Sequence, residues 1–325
     1  MEQSEKELAL KIKEYIVKLN YRDTQSKHYM PNEIFKDLQA NIETSTHIAF
    51  AYSYYYLISW LYRNVKYGEP LSIEINTKTL KKLLGYNQNY KPINYIIKKN
   101  GVLDQLNYTK NDWNFPIEWY SEDNKPEFIK FSDTDEYMNN ETYKNRRIDY
   151  EIKYPIKHFF RNTEDTESTG VFYDVSNTHL VQFETFMQCM ASKELGVLGF
   201  YLYSFLKYKN QQHKEGYDAS KARLAKETGI SERAITKYLS ALRSYNMINV
   251  IHNQEYFILG SNPQDFKAST IKVNEREKFT RHPIDYKKLG VKKNVKDKDK
   301  EEEPQKPTQN SSFSIMIQRE LKQLT

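Results

Sequence analysis

The chain has 325 residues, 38% of them apolar and 14% aromatic, which suits two packed domains plus connections. Basic residues outnumber acidic ones 49 to 43, a net charge of +6, so any action on phosphate requires the cations to be unevenly placed. The single cysteine, Cys189, excludes a disulfide framework and an all-cysteine zinc site and reads as a small core residue, and no apolar run reaches the ~18 residues of a membrane span.

The chain opens with Leu8, Ile12, Tyr15, Ile16 and Leu19 on one face, an amphipathic helix within 1–28 that would dock on its own chain. It lacks a basic region before an apolar run, so no secretion signal is expected and the location expected is cytoplasmic. Residues 29–120 form the first expected domain. Met30-Pro31-Asn32 is extended, and AYSYYYLISWLY is an aromatic-rich helix whose tyrosines are read as core. Base stacking is the minority alternative for those rings. Thr77 caps LKKLLG, and Asn89 caps YKPINYIIKK, with Pro92 tolerated in its first turn. On this last helix Ile93, Ile96 and Ile97 face inward, while Tyr90, Lys91, Asn94, Lys98 and Lys99 face outward. Gly101 ends it, and VLDQLNYT with WNFPIEWY would make a hairpin carrying Lys110 and Asn111. Residues 121–173 are a linker or extension. It includes much of an acidic stretch over 118–141 and two expected strands, YPIKHFF and GVFYDV, that would pair with a hairpin of the second domain.

The second expected domain, 174–286, carries the most informative segment, Ser220 to Leu259. Ser220 caps a helix through Thr228, with Leu224 and Ala225 inward. Gly229 supplies a positive φ, and Ser231 caps a second helix through about Ser244. Ile235, Tyr238, Leu239 and Leu242 form the inward stripe of that second helix. Ser231, Glu232, Arg233, Thr236, Lys237, Ser240 and Arg243 present donors and acceptors outward, the build of a major-groove reader. MINVIH and EYFIL, around Asn253-Gln254, would be the wing hairpin. KASTIKV reads as one more strand. Residues 287–312 are dense in mixed charge and expected to be disordered. Phe313, Met316, Ile317, Leu321 and Leu324 then mark a terminal amphipathic helix over 313–325, which either docks on a partner or folds back.

An internal match supports two copies. Met30-Pro31-Asn32 precedes Val175-Ser176-Asn177 by 145 positions, as Leu57–Leu61 precedes Leu202–Leu206. Enzymatic signatures fail: there is no GxxxxGK[ST], no GxGxxG and no HExxH. His158 reads as a structural histidine with metal ligation as the alternative. Arg281-His282 is only superficially like a tyrosine recombinase site. A non-enzymatic chain with no cofactor and no metal is expected. Lys, Asn, Ile, Tyr and Glu all have A/T-rich codons, so an AT-rich genome would also supply them.

The tandem order resembles the replication initiators of plasmids and phages that bind repeated origin sequences. The segments SWLYR, KYG, LGYN, YIIKKNGVLD and RSYNMINVIHNQEYFILG are similar to helix-turn-helix proteins of Gram-positive bacteria and their mobile elements. The resemblance covers most of residues 29–290. The reading is then a mainly α fold with small β-hairpins (α+β) built as two tandem winged-helix domains. Its partners would be double-stranded DNA, a host replication or regulatory protein at the C-terminal helix, and a second copy of the chain. A transcriptional repressor of a mobile element and a winged-helix protein-interaction scaffold are the alternatives.

Overall fold

The computed structural model describes residues 10, 14–69, 71, 74–123, 125–133, 151–162, 164–165, 167–259 and 267–293. Leu8 and Ile12 of the expected first helix, linker residues 134–150, residues 294–312 and the expected terminal helix 313–325 lie outside these. Ile16 and Leu19 lie inside and are buried. The architecture is α+β, with small, mostly antiparallel sheets among the helices.

The first half begins with β1 (Lys27–Pro31), α1 (Ile34–Asn41) and α2 (Ser45–Arg63). Every residue of α2 from Ile48 to Tyr62 is buried, as expected of a helix that is apolar and aromatic all round. After it come α3 (Thr77–Leu83) and two isolated helical turns, α4 (Asn94–Ile97) and α5 (Val102–Gln105). Then follow β2 (Thr109–Asp112), β3 (Pro116–Glu122), β4 (Lys125–Lys130), β5 (Ile152–Pro155) and α6 (Ile156–Phe159).

Several expectations for this half are corrected. Asn76, not Thr77, caps α3, accepting from the Thr79 N–H at 3.0 Å. The ten-residue helix over 90–99 is reduced to α4, and Asn89 caps nothing: its N–H donates to Asn87 Oδ1. Gly101 starts α5 rather than ending a helix. The strand after α5 pairs with β5, and β3 pairs with β4, so VLDQLNYT and WNFPIEWY form no hairpin together. Within YPIKHFF, the Tyr-Pro pair ends β5, and Ile156 to Phe159 coil into α6. GVFYDV is not a strand. Its N–H groups at Gly170, Val171 and Phe172 bond back to α6 carbonyls, and a Cβ at Gly170 would lie 2.4 Å from the His158 carbonyl carbon.

The second half runs β6 (Thr178–Gln182), α7 (Phe183–Ala191), α8 (Gly196–Gln212), β7 (Tyr217–Ala219), α9 (Lys221–Thr228) and α10 (Glu232–Ser244). It continues with β8 (Ile248–Ile251), β9 (Tyr256–Leu259), β10 (Ser269–Val273) and β11 (Gly290–Lys293). The expected β8–β9 hairpin does not form. The partner of β8 is β10, which also pairs with β7, giving a three-stranded antiparallel sheet in the order β7-β10-β8. Ile271 at its centre is buried, and Asn210 of α8 grips both ends of the Ile271–Val273 stretch through its amide. A parallel pairing joins β9 to β11, so part of the stretch expected to be disordered is a strand.

The described residues up to 253, with 268–287, make one compact unit, and those of 254–259, with 267 and 288–293, belong to a second. Within the first unit both halves share one continuous core. Their junction is the β1–β6 pair and the contact of α2 with α8, where Tyr56 meets Phe200 edge-on at 4.9 Å. Asn32 and Asn177, the asparagines aligned by the 145-residue offset, bond each other side chain to side chain at 3.2 Å.

Three buried histidines also line this junction. His28 Nε2 lies 2.8 Å from Ser59 Oγ, and His158 Nδ1 lies 2.7 Å from the Tyr55 hydroxyl. His179 Nε2 lies 2.7 Å from the Tyr52 hydroxyl. The rings of His28 and His158 stack at 5.2 Å. Burial holds His158 and His179 down to about 3, and burial and then His158 hold His28 well below its usual range. His158 is a structural histidine, its other nitrogen facing the Tyr29 carbonyl at 3.1 Å. Cys189 is fully buried, and burial raises its thiol pKa. Among the described residues no helix is long and apolar enough to cross a membrane.

Candidate nucleic-acid interface

In the second half the local chemistry dictates the geometry. Ser220 Oγ accepts from the Arg223 N–H at 3.1 Å and starts α9. Gly229, at φ 70°, ends it in the left-handed region open to glycine. A Cβ there would also meet Ile48 Cδ1 at 2.7 Å, so the turn packs directly on α2. Ser231 Oγ then accepts from the Ala234 N–H at 3.4 Å and starts α10. Ile235 and Leu242 are fully buried, while Tyr238 and Leu239 are only half-buried flanks of the stripe.

The opposite face of α10 exposes Ser231, Glu232, Arg233, Thr236, Lys237 and Ser240. Thr236 donates back to the Glu232 carbonyl at 2.9 Å, which fixes its hydroxyl. Arg243 behaves differently from the rest. It is half-buried, its guanidinium lies 4.1 Å from the Tyr286 ring centre, and it donates to the Lys287 carbonyl at 3.0 Å. Burial lowers its pKa, offset in part by Tyr286. Arg243 therefore clamps a strap, residues 280–287, which also bonds to α10's end through Thr280 N–H to Tyr245 O and Ile284 N–H to Ser244 O. The strap exposes Arg281, His282 and Lys287. Sequence reasoning missed this extension because no local signal links residues some forty positions apart.

The residues expected at the wing's tip close loop bases instead. Asn253 Nδ2 donates to the Ala268 carbonyl at 2.6 Å and to Thr270 Oγ1 at 3.1 Å. In the second unit, Gln254 Oε1 accepts from the Lys267 N–H at 3.1 Å. His252, just after β8, has its pKa lowered by burial first and then by Arg243 and Lys221. Lys221 and Arg223, exposed at the start of α9, were not singled out in the sequence.

The first half presents its expected contacts differently. Lys81, 4% exposed, sends its ammonium to the Tyr90 carbonyl at 2.8 Å and to Asn94 Oδ1 at 2.6 Å. Asn94 thus holds a buried lysine and does not face outward as expected. Lys153, 8% exposed, binds both Asp104 oxygens at 2.8 and 2.7 Å and the Lys98 carbonyl at 3.3 Å. Tyr90, Lys91, Lys98 and Lys99 are exposed, but on turns flanking α4 rather than along a helix. Lys110 is exposed with its ammonium 4.9 Å from the Tyr154 ring centre. Asn111 is half-buried on β2 opposite Lys153, and its Oδ1 has no hydrogen-bond partner. These two belong to a β2–β5 ladder and not to the expected hairpin.

Among the described residues no group of three or more His, Cys, Asp or Glu side chains could hold a metal ion. What the α10 face offers is hydrogen bonding and charge. No family model matches the chain, and no match was found among curated proteins or solved structures.

Proposed function

We propose that the chain is a sequence-specific double-stranded DNA-binding protein that lays α10 in the major groove, and that it serves as a plasmid- or phage-type replication initiator on origin repeats. One observation carries the DNA reading. A helix of 13 residues, held by Ile235 and Leu242, exposes five polar outward positions, Glu232, Arg233, Thr236, Lys237 and Ser240, next to its exposed cap Ser231. The order α8-β7-α9-α10-β8-β10, with β10 between the other two strands, supports a winged-helix reading of this half. In this reading Arg233 pairs bidentately with a guanine edge. Lys237, Lys221 and the strap's Arg281 and Lys287 contact phosphate. The initiator role is supported by the repeated halves and by the resemblance of their order to initiators. The first half then contributes through charge, with Lys91, Lys98 and Lys99 on exposed turns.

Selection from a random duplex pool, followed by anisotropy titrations, tests this. Arg233→Ala should relax preference at one base pair by about 1–3 kcal/mol. Lys237→Ala should weaken all sequences alike and reduce the salt slope of log K by about 0.9. Equal binding to every duplex without salt dependence would overturn the reading and leave a protein-docking face. The selected sequence should recur as repeats beside an AT-rich stretch. A single copy overlapping a promoter would replace the initiator role with a repressor's.

A further inference from the structure

We infer that the cleft between α1, α8 and α9 is a binding site for a small phosphate-bearing molecule of nucleotide size. Its volume is about 460 Å³, within the range of ~300–1,000 Å³ typical of small-ligand sites. Phe35, Phe205 and Tyr208 form an apolar wall. The Phe35 ring stacks on Tyr208 at 5.5 Å and meets Phe205 edge-on at 5.3 Å. Four cations stand around that wall, Lys36, Lys209, Arg223 and Lys226, against one carboxylate, Glu227.

That carboxylate is already committed. Arg223 Nε lies 3.2 Å and Lys209 Nζ 3.7 Å from it, and the Tyr217 hydroxyl donates to it. Burial alone would raise the Glu227 pKa, but the hydrogen bonds from Tyr217 and Arg223 bring it below the usual range, so it stays ionised. It offsets one charge, which leaves the cleft three formal positive charges. Among the described residues neither the Lys36 nor the Lys226 ammonium has an ion-pair partner. Both are exposed at the cleft.

A phosphate bound between them would leave room for a planar body beside Tyr208, which is half-buried where Phe35 and Phe205 are buried behind it. Gln39 of α1 donates to the Lys226 carbonyl of α9, which ties the cleft across the two halves. The site therefore exists only when both halves are docked. It shares no residue with the outward face of α10, and the inference does not rest on the DNA reading.

The test titrates the full chain with a fluorescent nucleoside triphosphate, with unlabelled ATP, GTP, inorganic phosphate and a short duplex as competitors. Saturable one-to-one binding, displaced by unlabelled nucleotide, is expected. Lys36→Ala with Lys226→Ala should weaken it at least tenfold at unchanged Tm, the paired Arg substitutions should restore it, and Arg233→Ala should leave it intact. Absence of saturation at millimolar nucleotide would overturn the inference. So would equal loss in Arg233→Ala. Displacement by duplex DNA but not by free nucleotide would assign the cleft to backbone phosphate and overturn the small-molecule site.

Discussion

Residues 90–105 and 232–244 follow glycines of positive φ, Gly85 at 79° and Gly229 at 70°, yet they are held by opposite means. The later segment is a continuous helix with a serine cap, an apolar stripe and a free polar face. The earlier one is two separate turns, and the buried ammonium groups of Lys81 and Lys153 reach their carbonyls and polar side chains. A hydrophobic stripe leaves the far side of a helix at liberty to meet a ligand. Buried lysines satisfy the backbone groups that an interrupted helix leaves open, and they draw Asn94 inward in doing so. Segments at corresponding places thus yield an exposed polar face in one half and a scaffold in the other.

The largest expected effect tests whether both segments still belong to one cooperative unit. Each of the three junction histidines has its folded pKa held below the unfolded value of about 6.5. The stability they contribute is complete above that value and is lost as the pH falls toward 3. The slope approaches about 1.4 kcal/mol per pH unit for each ring, or about 4 for all three. Both segments should lose amide protection together near pH 5. Loss at 232–244 while 94–105 stays protected would break the shared-core description. Next in size, Lys153→Ala removes the cation from the Asp104 carboxylate, which keeps its bonds from the Asn100 N–H and the Thr109 hydroxyl, and should cost about 2–3 kcal/mol in urea unfolding. A loss under 1 kcal/mol would mean that the scaffold does not depend on that pair.

Smaller still, Gly229→Ala forces a side chain into the left-handed region and against Ile48. About 1–3 kcal/mol of stability should be lost, read as a lower midpoint of thermal unfolding. Smallest of all, Ser231→Ala and Asn76→Ala each remove one helix cap and should cost about 1 kcal/mol. If only Ser231→Ala weakens DNA binding as well, the contrast between presenting and supporting segments is sharpened. Equal weakening by both would erase it.

The same contrast explains what could be read in advance. Ser220 and Ser231 each accept from an N–H three residues on, and Gly229 ends α9 through its own φ, so the bounds of α9 and α10 were visible in the sequence. The stripe was also visible, with Ile235 and Leu242 central, although Tyr238 and Leu239 proved half-buried. Lysines 81 and 153 were not legible as structural. Their type suggests a surface or a phosphate contact, and Lys153's carboxylate partner lies 49 positions away. The choice of β10 over β9 as the partner of β8 was hidden for a related reason. Tyr256–Leu259 is the nearer and more strongly β-forming run, but Ile271 and the Asn210 clamp make the β10 pairing part of the core. The cleft beside Lys36 and Lys226 assembles from three helices and left no contiguous motif.

The β1–β6 ladder has a consequence for how the chain is made. Lys27 pairs with Gln182, and Met30 with His179, so β1 leaves the ribosome long before its partner is synthesised. Until α8 follows, Phe35 and the second face of α2 lack the groups that cover them. Emerging N-terminal residues must therefore wait as an open, aromatic-rich intermediate with an unpaired strand edge, the kind of nascent chain that engages holding chaperones. Synthesis stalled before residue 178 should yield an aggregation-prone fragment, whereas synonymous codons that slow translation after residue 212 should be tolerated.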